Sequence, residues 1–192
     1  MTLCAAAICH NHPQTGPVPV LLGISDRMLT SGDIEFESGQ SKIYVFDPAN
    51  TVALVSGNYD AHFEIAIETH RQVRSDHVTD VGQIAELYAK NLLAYRTKRA
   101  SRLLLAPLGL DVDSFISRQQ EMDSDIVQEI VYKMLGEESD IGIDTIIAGI
   151  DSTGAHIYRV TDPGEASCCD GSGFVAVGSG SRQFETQFMS MS

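Results

Sequence analysis

The chain has 192 residues, 43% of them hydrophobic, so it is long enough to bury one sizeable core and short for two full domains. Its formal charge of -13 argues against a nucleic-acid partner, because phosphate binding needs clustered Lys and Arg and only 13 are spread along the chain. No apolar run reaches the roughly 18 to 20 residues of a membrane span, and the N-terminus lacks the basic region of a signal peptide. These features predict one domain over residues 1–192, a cytoplasmic location and no membrane partner.

The first third of the chain has the pattern of a β-sheet. LCAAAIC and VPVLLGIS are short apolar runs on either side of the turn-rich NHPQTGP, which is typical of two neighbouring strands. KIYVFD alternates in polarity, DPAN is a turn containing proline, and TVALVSG is a further apolar run that ends in glycine. Several buried strands are therefore predicted before the first helix.

From Tyr59 onward the apolar residues recur at helical spacing. Two amphipathic helices are predicted first, then a stretch that begins at Asp111, and then a helix within DSDIVQEIVYKML that ends at Gly136. The apolar positions that carry this period are Phe63, Ala66, Ile67, His70 and Val73, then Ile84, Leu87, Ala89, Leu92, Leu93 and Tyr95, then Phe115 and Ile116, and finally Ile126, Ile130 and Val131.

The last third of the chain returns to the pattern of a sheet. DTIIAGIDSTG predicts a buried strand that ends in a turn, AHIYRV can pair back on it as a hairpin, and GFVAVGSGS predicts a strand that ends at glycines. Strands, then helices, then strands again predict an α+β fold with helices stacked on a sheet.

The four cysteines predict reduced thiols and no metal site. Cys4 and Cys9 lie in an apolar stretch, where free cysteine behaves as a small buried hydrophobe. The residues that could ligate zinc are Cys9, His10, His12 and the adjacent Cys168 and Cys169. No CxxC or HxxxH spacing supports such a site. Reduced thiols in a reducing compartment are the better interpretation, and neither a metal nor another cofactor is predicted.

Thr2 follows Met1 directly, and a residue as small as threonine permits removal of the initiator methionine. Removal would place a free α-amine beside a hydroxyl of the same residue. With an unperturbed pKa near 7.7 to 8, that amine can act as the general base for the hydroxyl. Threonine at position 2 is common, however, so this feature carries weight only with the motifs that follow it.

Five motifs follow Thr2 along the chain, namely GISDRMLTSG, SKIYVFD, ALVSG before a helix, TIIAGIDSTGAHIYRV and FVAVGSGS. Their identity and order resemble the proteasome β-subunits and their bacterial homologues, over nearly all of the chain up to about Arg182. The resemblance implies a four-layer αββα sandwich of the N-terminal-nucleophile hydrolase type. It also implies a threonine-type peptidase within a self-assembled homo-oligomer that acts on peptides or unfolded proteins; the motifs do not indicate whether an ATP-driven unfoldase supplies them.

The resemblance assigns the central catalytic roles to Thr2, Asp26 and Lys42. Asp26 in ISDR corresponds to the acidic residue that would hold a nearby ammonium, and Lys42 in SKIYVFD corresponds to the lysine sixteen residues later. That ammonium would lower the pKa of the Thr2 amine and stabilise negative charge on the hydroxyl oxygen. The residues also allow a plain turn carboxylate at Asp26 and a solvent-facing edge-strand lysine at Lys42.

The resemblance gives four further positions a role. Gly57 in VSG corresponds to the glycine whose N–H binds the oxyanion, and Ser179 in VGSGS to the serine near the amine of the nucleophile. Thr30 corresponds to a residue whose main chain pairs with an extended peptide, and Val55 to the floor of a substrate pocket. The alternatives are a glycine at a helix start, an N-cap serine and, for Val55, an ordinary core valine, which is the better interpretation.

Three features depart from the resemblance. NHPQTGP lengthens the path from Thr2 to Asp26, and the segment from Ala106 to Gly136 is longer than in proteasome subunits. The sequence stops at Ser192, within the helix expected after GSGS, so the resemblance predicts a truncated C-terminus that lacks the final strands and helix of the family. Two alternative functions stay open, a non-catalytic structural subunit and, less favoured, a small-molecule amidase or acylase on the same fold.

Overall fold

A computed structural model describes residues 2–11, 18–31, 34–37, 39, 41–136 and 141–191. The described chain is a mixed α/β structure with ten strands, five α-helices and antiparallel pairing throughout its sheets. The strands are β1 (Cys4–Asn11), β2 (Val18–Ser25), β3 (Met28–Ser31), β4 (Ile34–Glu37), β5 (Ile43–Phe46), β6 (Thr51–Gly57), β7 (Ile143–Asp151), β8 (Gly154–Thr161), β9 (Glu165–Cys168) and β10 (Phe174–Val177). The helices are α1 (Tyr59–Ser75), α2 (Val81–Ala100), α3 (Val112–Arg118), α4 (Ser124–Leu135) and α5 (Ser181–Met191).

The strands form two larger sheets and one hairpin. A three-stranded sheet has the order β10-β1-β2, a five-stranded sheet has the order β5-β6-β7-β8-β9, and β3 pairs with β4. The first and last thirds of the sequence therefore meet, because β10 pairs with β1 across most of the length of the chain. This confirms the predicted strands and the pairing of LCAAAIC with VPVLLGIS; the loop 12–17 between them lies outside the described residues.

The two larger sheets pack face to face through a layer of small and branched side chains. Alternate residues of β1 and β10 meet the inward face of β6, β7 and β8, as expected from the two-residue repeat of a strand. The buried members of this layer are Cys4, Ala6, Leu54, Ile146, Ala148, Ile157, Val175 and Val177.

Helices α1 and α2 cover the opposite face of the five-stranded sheet. Their apolar positions, together with Ala53, Val55 and Ile147 of the sheet, form the largest buried cluster of the molecule. Each helix begins at a side-chain cap: Asn58 accepts a hydrogen bond from the Ala61 N–H at 3.1 Å, and Asp80 accepts one from Gln83 at 2.7 Å. The two predicted helices are confirmed, although the predicted apolar positions Phe63, Ile67 and Leu93 are exposed.

The segment after α2 has a small core of its own. Helix α2 runs into a π-helical turn (Ser101–Leu105) and a 3₁₀ turn (Ala106–Leu108) before α3 and α4. Leu105, Phe115 and Ile130 are its buried centre. The predicted helix starting at Asp111 is confirmed, since Asp111 and Ser114 form a reciprocal capping box. Ile116, Ile126 and Val131 are exposed instead. Their helical spacing therefore predicted the helices but not which of the apolar residues are buried.

Three short strands were missed by the sequence patterns. β3, β4 and β9 are four residues long and contain polar residues, whereas the equally short β5 and β10, which were predicted, are apolar throughout. No helix in the described part of the chain is long and apolar enough to cross a bilayer.

Candidate active site

Thr2 lies where the end of β10 meets the beginning of β1. Its N–H donates to the Ser179 hydroxyl oxygen at 2.9 Å, and its carbonyl oxygen accepts from the Gly180 N–H at 3.0 Å. Two residues 177 positions apart are therefore in contact. Helix α5 begins at Ser181, so Gly180 lies at the N-cap position. Ser179, which contacts Thr2, lies one residue before that position.

Asp26 fixes the strand that carries Thr2. Its backbone N–H donates to the Leu3 carbonyl oxygen at 3.0 Å, while its carboxylate oxygen Oδ2 accepts from the Leu3 N–H. These two bonds extend the pairing of β1 with β2 one step beyond Cys4 and Ser25. Asp26 is therefore more than a turn carboxylate, because it holds the backbone directly after Thr2.

Lys42 is buried, with 4% of its side chain exposed. Its ammonium donates to Asp26 Oδ1 at 2.5 Å and to the carbonyl oxygen of Met28. The residue lies directly before β5, where its own carbonyl oxygen accepts from the Val55 N–H at 3.0 Å. A solvent-facing edge lysine is thereby ruled out, and a buried cation is fixed beside the residue that follows Thr2.

The Asp26 carboxylate stays ionised opposite this cation. Burial by itself raises its pKa, but the hydrogen bonds from Lys42, Leu3 and Met28 outweigh burial and lower the pKa below its usual value of 3.8. Met28 N–H donates to Oδ1 at 2.9 Å, so each carboxylate oxygen has a backbone donor. Asp26 and Lys42 therefore form a fixed ion pair in which both carboxylate oxygens also accept from the backbone.

Gly57 ends β6 in a backbone conformation that a side chain would strain. Its φ is +102°, and a Cβ at this position would lie 1.7 Å from the carbonyl oxygen of Gly142. That oxygen also accepts from the Asn58 N–H at 3.2 Å, immediately before α1 begins. The glycine is thus required by the turn itself, whatever its N–H binds.

Two residues that the sequence analysis did not single out complete this end of the sheets. Gly178 has a φ of +97°, and a Cβ there would lie 2.4 Å from the Thr2 carbonyl oxygen and 3.0 Å from the Ser56 hydroxyl. Ser56 is buried and pairs with Asp144 across β6 and β7. The glycine in VGSGS was visible in the sequence, but its need for close backbone approach depends on a contact with Thr2 that only the fold creates.

Cys4 lies close to this cluster and carries an inert thiol. Its Sγ donates to the Val55 carbonyl oxygen at 3.2 Å, and burial raises the pKa of the thiol to about 12. A thiol that stays protonated is neither a nucleophile nor a metal ligand. The Cys4 thiol is therefore excluded as a nucleophile at this end of the sheets.

The two proposed substrate-binding residues have different environments. Val55 is 2% exposed and belongs to the buried cluster between the five-stranded sheet and helices α1 and α2, which is the position of an ordinary core valine. Thr30 lies in β3, where it is the register partner of Glu35 in β4. Their roles in substrate binding stay predictions.

A second polar cluster lies at the opposite end of the five-stranded sheet and was missed from the sequence. His156 Nδ1 lies 2.7 Å from Asp170 Oδ2, and its Nε2 lies 2.7 Å from the Thr153 hydroxyl oxygen. That hydroxyl donates to Asp151 Oδ1 at 2.6 Å, and Asp151 Oδ2 accepts from the N–H of Val81 at 3.0 Å. The cluster joins the β7–β8 turn to the start of α2 and to the loop before β10.

The pKa shifts in this cluster favour a charged histidine between carboxylates. The hydrogen bond to Asp170 raises the pKa of His156, and burial, which lowers it, is the smaller effect. Burial raises the pKa of Asp151, but hydrogen bonds from Thr153 and Val81 outweigh it and bring the pKa to about 2. Because Thr153 gives its proton to Asp151, a protonated His156 acts as a donor on both nitrogens.

A buried polar chain crosses the helical layer. His62 Nδ1 lies 2.6 Å from the Tyr88 hydroxyl, which also accepts from Thr145 Oγ1 at 3.3 Å. Burial lowers the pKa of His62 to about 3, and it raises the pKa of Tyr88. Both side chains are therefore neutral at physiological pH, and the chain connects α1, α2 and β7 without charge.

The cysteine and histidine residues form no metal centre in the part of the chain that the structure describes. Cys168 and Cys169 are consecutive along the chain; Cys169 packs against the layer between the sheets, while Cys168 pairs with Tyr158 at the end of β9. Cys9 lies near the end of β1, on a different sheet. His12 lies outside the described residues.

Comparison with protein-family models gives no match to this chain, and comparison with curated proteins gives none either.

Proposed function

We propose that this chain is a threonine-type peptidase of the N-terminal-nucleophile class, in which Thr2 becomes the nucleophile once Met1 has been removed. The observation that carries the proposal is the buried Lys42 ammonium, which Asp26 holds beside the backbone of Leu3. A buried cation is costly unless it is paired, and buried charged groups with specific partners occur often at functional sites. We therefore assign Lys42 the role of activating the hydroxyl of Thr2.

The proposed reaction begins at the Thr2 hydroxyl. The free α-amine takes the hydroxyl proton as the oxygen attacks the substrate carbonyl, and the same amine then passes that proton to the departing amine of the peptide. The resulting ester to Thr2 is hydrolysed by water, which restores the hydroxyl. An ammonium has three N–H donors, and Asp26 and Met28 engage two at Lys42. In the proposed mechanism the third donor stabilises the Thr2 oxygen.

The neighbouring groups support this chemistry by position. The contact of Thr2 nitrogen with the Ser179 hydroxyl is compatible with a free amine, which has donors as well as a lone pair. The N–H of Gly57 serves as the oxyanion donor, at a strand end where a larger residue does not fit. The lowered pKa of Asp26 keeps its carboxylate negative, so it serves as the counter-ion of Lys42.

The proposed architecture is the four-layer αββα sandwich of this class. Two sheets packed face to face, helices α1 and α2 on the outer face of one sheet, and the contact of Phe174 with Phe188 of α5 support it. The proposed substrate is an extended peptide or an unfolded protein that pairs with the main chain near Thr30, and the proposed working form is a homo-oligomer.

The proposal is tested with protein purified from a host that processes Met1, with its mass measured intact. The expected mass lacks Met1, and a fluorogenic peptide amide is then hydrolysed by the wild type and not by Thr2→Ala. Thr2→Ser is the matched control, because it keeps a hydroxyl beside the amine, and we expect it to keep measurable turnover. A processed protein with no turnover on any peptide would support the structural-subunit alternative, and turnover restricted to small amides would support the amidase.

A further inference from the structure

Helix α4 has an exposed apolar stripe beside its buried one. Ile130, with Val127 and Met134, faces the small core beneath α4. The adjacent stripe contains Tyr132 and Leu135, which are 76% and 77% exposed. The apolar residues Val131, Tyr132 and Leu135, with Gln128, line one face of the helix at i, i+3, i+4 and i+7.

The α1–α2 groove is an open depression on the outer side of the helical layer, with a volume of about 400 Å³. Its apolar floor is made by Ile65, Ile67, Ala94 and Tyr95. It continues past Lys98 to the π-helical turn, where Leu103 is exposed. A groove with these properties has the shape and chemistry that bind one face of an amphipathic helix.

The charges at the two surfaces are of opposite sign. The groove and its continuation carry four cations, Arg71, Lys98, Arg99 and Arg102, against the two carboxylates Glu64 and Glu68. Glu64 pairs with Lys98 and Glu68 with Arg71, so the excess positive charge lies at Arg99 and Arg102. Between residues 87 and 110 the sequence has five Lys or Arg and no Asp or Glu, in a chain whose net charge is -13. The first turns of α4 carry Asp125 and Glu129, with Asp123 directly before the helix. Glu129 pairs with Lys133 at 2.8 Å, so the excess negative charge lies at Asp123 and Asp125.

We propose that α4 of one copy of this chain binds in the α1–α2 groove of a second copy. One chain presents both halves of the contact, an apolar helix with acidic residues and an apolar groove with a cationic rim, so two identical molecules satisfy each other. A parallel contact of α4 with α4 is disfavoured, because it would bring Asp123 and Asp125 of the two copies together. The proposal specifies the contact of the homo-oligomer in the proposed function and rests on it only for the existence of that oligomer.

The experiment measures molecular mass by sedimentation at micromolar concentration. Its outcome does not depend on whether the protein hydrolyses peptides, so the proposed contact and the proposed activity are tested separately. The wild type is expected to sediment above the monomer mass of 20.8 kDa. The α4 variant, Tyr132→Asp with Leu135→Asp, and the groove variant, Lys98→Glu with Arg102→Glu, are each expected to weaken self-association by at least about 30-fold, as the loss of a central contact does.

Mixing the two variants gives the decisive measurement. The α4 variant keeps an intact groove and the groove variant keeps an intact α4, so an equimolar mixture is expected to recover a dimer that neither variant forms alone. The matched controls are Ile116→Asp and Arg118→Glu on α3, at side chains of similar exposure, and they are expected to sediment as the wild type does.

Three results would overturn the inference: a monomeric wild type, a groove variant that self-associates like the wild type, or a mixture that stays monomeric although both variants are folded by circular dichroism. If either double variant unfolds, the milder Leu135→Ser and Arg102→Ser replace it in the same mixture, with the same outcomes.

Discussion

The five-stranded sheet has a polar cluster at each end, and the two clusters differ in their charge and in their hydrogen bonds. At one end Lys42 is buried and bonded to Asp26 and to a backbone carbonyl, beside the start of the chain. At the other end, Thr153, His156 and Asp170 have the spacing of a nucleophile, a base and an acid. By distance alone, the second cluster is the more familiar catalytic arrangement.

The two clusters differ in which groups donate their hydrogen bonds and which accept them. Thr153 gives its hydroxyl proton to Asp151, and His156 is held between carboxylates that favour its charged form, so the imidazole has no free site to accept a proton from a nucleophile. The Lys42 ammonium, in contrast, keeps a donor beyond the two acceptors that hold it. Hydrogen-bond distances therefore identify a cluster, and the assignment of donors decides whether it can do chemistry.

The largest expected effect is at Lys42. If its ammonium stabilises the Thr2 oxygen, Lys42→Met should lower kcat/KM for a peptide amide by 10²- to 10³-fold, since one preorganised charge supplies about 3 to 4 kcal/mol. The measurement is turnover of a fluorogenic peptide by protein shown by mass to carry a free Thr2. Lys42→Arg is the stricter test of this role, because guanidinium keeps the charge but does not fit the compact site beside Asp26. We expect this variant to be nearly as inactive as Lys42→Met. Near-normal turnover in both variants would remove Lys42 from the mechanism.

Gly57 tests whether the backbone at the same end is under steric constraint. Gly57→Ala should lower the free energy of unfolding by about 1 to 3 kcal/mol, because alanine is strained at a φ of +102° and its Cβ meets the Gly142 carbonyl oxygen. The effect is measured by urea unfolding. Gly171→Ala is the matched control, since a Cβ there has no neighbour within 4 Å, and it should change stability little. Equal losses in both variants would contradict the steric explanation.

His156 should make the opposite end of the sheet sensitive to pH. Its pKa is raised in the folded state, so its contribution is complete below its unfolded pKa of about 6.5 and is lost as pH rises through the folded pKa. We expect His156→Gln to lower stability by about 1 to 2 kcal/mol near pH 6 and by less near pH 9. Urea unfolding of both proteins across that range gives the difference. A difference that grows with pH would show that the histidine is neutral in the folded protein.

Thr153 gives the smallest expected effect and the sharpest contrast with Lys42. Thr153→Val should leave peptide turnover unchanged and lower stability by about 1 kcal/mol, because it removes one side-chain hydrogen bond to Asp151. Turnover and urea unfolding are measured on the same preparation as the Lys42 variants. A large loss of turnover with a small loss of stability would reverse the roles assigned to the two ends of the sheet.

The sequence by itself determined the elements with a clear period. The apolar runs of β1, β2, β6 and β7 and the helical spacing of α1 and α2 follow from local burial, which repeats every two or 3.6 residues. The motifs that carry the family resemblance, and not the periodicity, linked Asp26 with Lys42. They also suggested a role for Thr2, although threonine at position 2 is uninformative without the later motifs.

Only the tertiary structure decided which of these residues meet. The contact of Thr2 with Ser179 and the need for glycine at position 178 arise where β1 pairs with β10. Lys42 contacts Asp26 and Met28 where the chain leaves β2. The His156 cluster likewise gathers residues from a hairpin, a loop and a helix start. Local periodicity reports how often a side chain is buried, whereas sheet order and strand register fix its neighbours, and that information is distributed over the whole chain.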